Sequence, residues 1–546
     1  MNKKYILIIL LIAGATIGLW QVFYGTLQGE RAELLGTADQ AGKSGTFSRD
    51  VTGLPDARSQ ETVALKDGDV YEMEIGAVKK TIAGRSVKML GYNGSIPGPT
   101  LRIPEGAEVT INLKNGGDIA TTLHAHGVRM DNAFDGVPGV TQQEIGIGES
   151  FSYTLKFSDP GAFWYHPHVR TDYALESGLY ANIIVTSEDS GYFPPVNRET
   201  ALMLDDIKLD QNGLVPFRKD VADHTLMGRF GNVMLVNGMT DYALSAAQGE
   251  VMRLYLTNAA NTRLFNFVIP GVKMKLIGAD VGRYEKETFV DEVLVAPGER
   301  RVVDVFFEKS GKYALQHRTP DKEYALGTAS VSAETATPSY AREFAALRTN
   351  AAVADELGSL MNEYLAKAPD KKLDLSLDMN EEMRRGMPQG MHSMGGGMAM
   401  SDEGMGMGDD GDLFEWEEGT MAGMNAMSTS AMLKWKLIDS TTSKANMDID
   451  DWKFKLGDKV KIRIFNNPQS LHPMQHPIHF HGQRLMALST NGVKNDNPVW
   501  VDTVLVAKGD TVDILLDASN PGEWVAHCHI LEHAESGMMT SFIVEN

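Results

Sequence analysis

Short runs of alternating hydrophobic and polar residues, bounded by glycine turns, recur along most of the chain. Apolar residues at every second position are typical of a β-strand with one side in a core. One phrase, a Gly turn followed by such a strand, occurs at residues 105–115, 248–258 and 456–466. A second, shorter phrase occurs at residues 297–307 and 508–516. The pattern predicts an all-β protein with three copies of one β-sandwich domain.

The repeats and the chain length together set the expected domain boundaries. A chain of 546 residues is too long for a single core. We expect three domains, at residues 61–188, 195–340 and 371–546. Residues 341–370 are expected to form a helical linker between the second domain and the third.

The first 60 residues differ in character from the rest. Residues 1–24 open with Lys3 and Lys4, after which an apolar run extends from Tyr5 to Tyr24. About 20 apolar residues can span a bilayer, whereas a cleaved signal core is usually about 7–15 residues long. We therefore expect a signal segment that stays as a membrane anchor, with the rest of the chain exported to the periplasm or the cell surface. Residues 25–60 are polar and Gly-rich and are expected to form a linker.

The charge and the cysteine content narrow the class of partner. A net charge of −21 argues against nucleic acid or an anionic membrane surface and favours cationic substrates, including metal ions. The single cysteine, Cys528, allows no disulfide within the chain, which is unusual for an exported protein. This composition is explained if a metal ion holds Cys528 permanently.

Ten of the 14 histidines lie in four tight clusters. Three clusters contain a His-x-His pair, and the fourth has the cysteine between its two histidines. Successive side chains of a strand point to opposite faces, so both imidazoles of each pair face one side. The pairs supply eight imidazoles for metal binding: His124, His126, His166, His168, His479, His481, His527 and His529.

The fourth cluster carries a second kind of site on the other face of its strand. Cys528 points to the opposite face of the strand from its two neighbours. His476 lies three residues before His479, so its side chain points to the opposite face from that of His479 and can reach Cys528. Thiolate, imidazole and a weak thioether are the ligands of a blue-copper electron-transfer site, whereas structural zinc favours several thiolates. A mononuclear copper site is therefore predicted from His476, Cys528, His533 and axial Met538. One strand would then join two metal sites by covalent bonds.

These motifs resemble those of the multicopper oxidases, the family of laccases, ferroxidases and bacterial cuprous oxidases. The chain has all four family motifs, as His-x-His-Gly, His-x-His, His-Pro-x-His-x-His-Gly and His-Cys-His-x3-His-x4-Met. The resemblance covers roughly residues 60–546. It implies three cupredoxin-like Greek-key domains and four copper ions, one of type 1, one of type 2 and two of type 3. It also implies a trinuclear copper cluster between the first and third domains, and we interpret the middle domain as a spacer.

The resemblance also assigns roles to individual residues. It gives the type 2 copper to His124 and His479, and the type 1 copper to His476, Cys528 and His533 with Met538 axial. The type 3 pair falls to His126, His166, His168, His481, His527 and His529. Asp135 matches a family acid near the type 2 copper. The Glu that often follows the last type 1 His in bacterial members is Ala534 here, so Glu535 or Glu532 is the candidate proton relay.

A low-complexity stretch at residues 383–432 is rich in Met, Gly and acidic residues. Thioether sulfur selects Cu(I), and the interleaved acids attract a cation, so a Cu(I)-binding role is favoured over the alternative of a flexible, adaptable hydrophobic surface. We interpret the stretch as an insertion in the third domain, and cuprous oxidases of the family carry a similar one. Met474 matches a substrate Cu(I) ligand of those enzymes, whereas His472 replaces their acid. Both are candidate ligands of a substrate Cu(I).

The sequence thus predicts a monomeric oxidase with a role in copper tolerance. Its partners would be dioxygen and a small reductant, foremost Cu(I), and no nucleic acid. Electrons would enter at the edge of His476 or His533, and dioxygen would be reduced to water by four electrons. A laccase-like phenol oxidase, a ferrous or manganous oxidase and a copper-sequestering protein stay open as alternatives. A copper nitrite reductase lacks the full set of type 3 ligands.

Overall fold

The computed structural model describes residues 45–380 and 413–546 of the chain. Strands dominate these residues, which confirms the predicted all-β class. The predicted anchor, residues 1–24, and much of the predicted linker lie outside the described residues. In the part that is described, no helix is both long enough and apolar enough to cross a membrane. Residues 45–48 and 216–221 belong to a small separate unit in which Thr46 pairs with Arg218.

The first strand group has nine strands: β1 (Thr62–Ala64), β2 (Val70–Ile82), β3 (Arg85–Tyr92), β4 (Thr100–Pro104), β5 (Glu108–Gly116), β6 (His124–His126), β7 (Ser150–Lys156), β8 (Gly161–His166) and β9 (Ala181–Thr186). They form a four-stranded and a five-stranded sheet, in the orders β3-β2-β5-β7 and β1-β4-β9-β8-β6. Helix α1 (Thr171–Glu176) follows β8, and a 3-10 turn spans Asn132–Phe134. Strands β6 and β8 pair antiparallel, so His124 lies opposite His166.

The second group has thirteen strands: β10 (Arg198–Ile207), β11 (Leu209–Asp210), β12 (Gly213–Leu214), β13 (Val233–Val236), β14 (Tyr242–Gln248), β15 (Glu250–Asn258), β16 (Phe265–Val268), β17 (Lys273–Ala279), β18 (Gly282–Val290), β19 (Val293–Val295), β20 (Arg300–Phe307), β21 (Gly311–Arg318) and β22 (Glu323–Thr335). They form a six-stranded sheet, β13-β10-β15-β20-β17-β18, a five-stranded sheet, β14-β22-β21-β16-β19, and the pair β11-β12. Helices α2 (Ala341–Ala345) and α3 (Ala351–Tyr364) follow, within the segment predicted as a helical linker.

The third group consists of the strands β23 (Lys371–Met379), β24 (Leu433–Asp439), β25 (Lys453–Lys455), β26 (Lys459–Asn466), β27 (His476–Phe480), β28 (Arg484–Thr490), β29 (Val493–Lys494), β30 (Thr503–Val506), β31 (Thr511–Asp517), β32 (Gly522–Cys528) and β33 (Met539–Glu545). They again form a six-stranded sheet, β24-β23-β26-β31-β28-β29, and a five-stranded one, β25-β33-β32-β27-β30. Its helical elements are 3-10 turns at Gly419–Met421 and Asn446–Asp448, α4 (Ala422–Met427) and α5 (Leu531–Glu535).

The repeated sequence phrase occupies the same place in all three groups. It forms β5, β15 and β26, and each of these strands has one parallel and one antiparallel neighbour in its sheet. In the second and third groups, apolar residues from both sheets pack into one core, such as Leu254 with Phe267 and Ile462 with Trp524. Burial of apolar surface between two sheets is the main stabilising term of such a sandwich.

Candidate metal centre

Eight paired histidines from the first and third groups come together in one buried region. Strands β6 and β8 provide one side, and β27 with β32 provides the other, where His479 lies opposite His527. Within this region, three sets of three nitrogens lie within 4.8 Å of one another. The sets are His124, His126 and His479; His126, His166 and His529; and His168, His481 and His527.

The hydrogen bonds of these imidazoles leave free nitrogens that face each other. The Nδ1 atoms of His124, His166 and His527 donate to the carbonyl oxygens of Asp135, Pro167 and Cys528 at 2.8–2.9 Å. A carbonyl can only accept, so Nδ1 carries the hydrogen and the Nε2 lone pair is left for another partner. The Nε2 atoms of His124, His168, His479 and His529 are buried without a hydrogen-bond partner. Buried orphan nitrogens cost free energy, and bound metal ions would remove that cost.

Burial also sets the charge state that metal binding requires. It lowers the pKa of His527 to about 3, and it lowers the pKa well below the ordinary value for His166, His168, His481 and His529. All five are therefore neutral at physiological pH, the form of imidazole that binds a metal ion. The residues present thus fit a cluster of copper ions held by nitrogen.

Two carboxylates flank this cluster. Asp135 is fully buried, and its side chain lies 3.0 Å from His481 Nδ1 and 3.2 Å from His124 Nδ1. Asp502, which sequence reasoning missed, lies 3.0 Å from His126 Nε2 and also pairs with Arg300. Burial opposes ionisation of Asp502, but Arg300 outweighs it and holds the pKa of that carboxyl below its usual range. The only sequence signal for this pair is the recurrent phrase that contains Arg300.

The predicted thiolate site is assembled on the other face of β32. Cys528 Sγ lies 3.5 Å from His476 Nδ1 and 3.9 Å from His533 Nδ1. Met538 is buried in the same core, and its carbonyl accepts the Cys528 N–H at 3.1 Å. Burial raises the pKa of the Cys528 thiol, so a thiolate here requires a bound cation. The indole of Trp435 stacks on His533 with ring centroids 4.1 Å apart.

His476 and His533 are both buried, at 1% and 0% exposure. Electron entry at the edge of His476 or His533 stays a prediction, and in the described structure neither imidazole is exposed. Part of the predicted Met-rich insertion, residues 413–432, belongs to the described structure, while residues 383–412 lie outside the described residues. Met421 and Met432 pack against the core that holds Cys528. Gln475 exchanges two hydrogen bonds with the backbone of Glu415, at 2.7 and 3.1 Å.

The two candidate substrate ligands and the two candidate relay acids are also buried or partly buried. Met474 lies in the Cys528 core, and His472 has a buried Nε2 without a partner. Glu532 accepts hydrogen bonds from Asn261 at 2.9 Å and Thr262 at 3.3 Å, and burial raises its pKa to about 7. Glu535 accepts the N–H of Thr171 at 2.8 Å, and burial with the nearby Asp172 raises its pKa to about 7.

Comparisons with known proteins agree with this arrangement. Three family profiles, all described as multicopper oxidase, match residues 74–190, 207–339 and 418–546. Copper resistance protein A of Escherichia coli is 25% identical over 94% of this chain and 97% of its own length. The multicopper oxidase mco of Staphylococcus aureus is 25% identical over 84% of each chain.

Solved structures show the same fold. A multicopper oxidase of Campylobacter jejuni, a metallo-oxidase, superposes with a TM-score of 0.66 at 22% identity, covering 92% of this chain and 99% of that one. The McoA multicopper oxidase of Aquifex aeolicus has a TM-score of 0.66 at 20% identity, covering 92% and 100%. These likenesses show a cupredoxin-like fold.

Proposed function

The chain belongs to the multicopper oxidase family, and from that premise we propose that it oxidises Cu(I) with dioxygen and serves copper tolerance. Membership makes it an oxidoreductase with four copper ions as cofactor. One observation carries the proposal: the strand His527-Cys528-His529 joins the buried thiolate site to two of the three histidine sets. An electron accepted at Cys528 therefore has a covalent path of one residue to either set.

We propose that the sets correspond to individual copper ions. His124 and His479 would hold the type 2 ion, and His476, Cys528, His533 and Met538 would hold the type 1 ion. The type 3 ions would be held by His126, His166 and His529, and by His168, His481 and His527. When bound, the four ions supply one-electron oxidation of the donor and four-electron reduction of dioxygen to water.

Reduction of dioxygen to water consumes protons, and three acids are proposed to hold them. Asp135 lies within 3.2 Å of two histidines of the cluster and can exchange a proton there. Glu532 and Glu535 lie on α5, next to the histidines of β32, and their raised pKa lets them carry a proton near neutral pH.

Cu(I) is the proposed donor because the thiolate site is covered and thioether-rich. His476 and His533 are buried, with the indole of Trp435 against both rings, so we expect a bulky phenol to have no direct contact with either imidazole. Met474 and His472 lie beside the site; the thioether of Met474 is a soft ligand suited to Cu(I), and the imidazole of His472 is a second copper ligand. Relatives of this chain are copper resistance proteins. We propose in addition that the protein is exported, is held at the membrane by residues 5–24, and acts as a monomer.

The test is dioxygen uptake by the copper-loaded protein with Cu(I), Fe(II) and a bulky phenol as donors. Fast uptake with Cu(I) and slow uptake with the phenol support the proposal. The reverse ranking would contradict it and indicate a laccase. In cells, the Cys528→Ser variant distinguishes turnover from sequestration, because a chain that only binds copper would still protect cells after this change.

A further inference from the structure

Asp502 orients two of the proposed copper ligands at once. Its Oδ1 lies 3.0 Å from His126 Nε2, and its backbone oxygen accepts from His479 Nδ1 at 3.0 Å. A carboxylate and a carbonyl only accept, so these nitrogens carry the hydrogens. His126 is left with Nδ1, which lies 3.4 Å from His166 Nε2, and His479 is left with Nε2. Partners of this kind fix the tautomer and orientation of metal-binding imidazoles.

Asp502 is itself held by a residue of the second strand group. Arg300, at the start of β20, places both terminal nitrogens on the two carboxylate oxygens, with Nη1 2.8 Å from Oδ1. Its Nε donates to the carbonyl oxygen of Ala162 on β8 at 2.7 Å. Asp280 accepts the backbone N–H of Arg300 at 2.7 Å and that of Asp502 at 3.3 Å. Arg300 and Asp502 are both fully buried, and Arg300 also lies 3.7 Å from the buried Asp280, so the charge of Asp502 depends on Arg300 for compensation.

Two glycines make room for this contact between strand groups. A Cβ at Gly127, directly after His126, would lie 2.2 Å from Asp502 Oδ2 and 2.6 Å from Arg300 Nη2. A Cβ at Gly298, where φ is +85°, would lie 2.8 Å from two ring carbons of His529. The glycine of the His-x-His-Gly motif therefore admits the ion pair, and the turn before Arg300 touches the histidine cluster directly.

We infer that Arg300 is a positioning residue of the histidine cluster. Through Arg300, the second strand group fixes the orientation of the His126 and His479 imidazole rings. The interpretation of the middle domain as a spacer accordingly needs revision. Lysine cannot replace Arg300, because a single ammonium does not reproduce the planar fork that binds both carboxylate oxygens and the Ala162 carbonyl. The inference rests on the proposed copper ligands.

The experiment compares Arg300→Lys with Arg253→Lys in the full chain. Arg253 forms an equally buried bidentate pair with Asp304, at 2.9 and 3.1 Å, away from the histidines. Copper per chain, the paramagnetic resonance of type 2 copper, and its affinity against a competing chelator are measured on the loaded proteins. Circular dichroism and thermal unfolding of the copper-free proteins report folding.

We expect Arg300→Lys to weaken type 2 copper affinity by about 10–100-fold, the usual effect of losing such a partner, with the type 1 colour retained. Arg253→Lys should lose stability but keep its copper. Wild-type affinity and an unchanged type 2 signal in folded Arg300→Lys would overturn the inference. Should that variant not fold, Asp502→Asn decides in the same way, because it keeps the shape but removes the charge that Arg300 binds. Wild-type protein that takes up no copper would instead refute the proposed function.

Discussion

The hydrogen bonds between Gln475 and the 413–432 segment give a direct prediction about substrate choice. Gln475 is fully buried, next to His476, and it exchanges two hydrogen bonds with the Glu415 backbone. Each contributes about 0.5–1.5 kcal/mol net, so the pair holds the segment closed by about 1–3 kcal/mol. That free energy corresponds to roughly a 5- to 150-fold change in the open fraction. The segment keeps many other contacts, such as the Lys208–Glu418 ion pair and the hydrogen bonds of Asn425 with Met227 and Gly228, so Gln475→Ala should give the lower part of this range.

The assay is kcat/KM for a bulky phenol and for Cu(I), measured side by side. If a bulky phenol reacts only when the 413–432 segment is displaced, Gln475→Ala should raise the kcat/KM for the phenol about tenfold, because two hydrogen bonds that hold the segment are lost. The kcat/KM for Cu(I) should not rise. The type 1 colour shows whether His476 stays in place. Gln60→Ala, which removes two hydrogen bonds to Gly98 and Thr100, is the control for general loosening. Unchanged phenol oxidation in a variant whose segment has become sensitive to protease would refute the view that this segment restricts access.

Three further predictions follow from single residues. Cys528→Ser should remove the blue colour and almost all steady-state oxidation of every donor, while copper analysis still finds ions at the histidine cluster; full activity would contradict the proposed path. Gly127→Ala should lower cluster copper content, because the added methyl carbon would lie 2.2 Å from Asp502 Oδ2; four coppers per chain would show that the pair can move aside. In copper-free protein, the buried histidines with lowered pKa should make the free energy of unfolding rise as pH increases from about 4.5 to about 6.5. Glu532 should reduce this rise, since burial raises its pKa to about 7 and the folded state binds its proton more tightly. Denaturant titrations should show a steeper rise with pH for Glu532→Gln than for wild type, and an equal rise would rule out this contribution.

Strand periodicity was sufficient to predict much of the site. The alternation of side chains separates Cys528 from His527 and His529, and the register of β27 with β32 places them as that rule requires. Local spacing also identifies the eight paired histidines, because each pair lies within one strand or its end. How they divide into sets could not be predicted from spacing alone, since each set combines strands from different sheets.

Contacts between distant residues explain what the sequence could not reveal. Arg300 and Asp502 are 202 positions apart and belong to different strand groups, and no local pattern indicates their pairing. The burial of His476 and His533 likewise involves residues far apart in the chain, since the indole of Trp435 contacts both imidazoles. Such contacts arise from the packing of groups against one another, whereas sequence periodicity reports only which side of a strand is buried.

In the proposed function, the strand through Cys528 delivers single electrons from a buried donor site to a cluster that reduces dioxygen fully. The ratio of Cu(I) oxidised to dioxygen consumed tests this, with hydrogen peroxide assayed in the same samples. We expect four Cu(I) per dioxygen, no released peroxide, and loss of this reaction in Cys528→Ser. Two Cu(I) per dioxygen with accumulating peroxide, or an undiminished rate in Cys528→Ser, would contradict it.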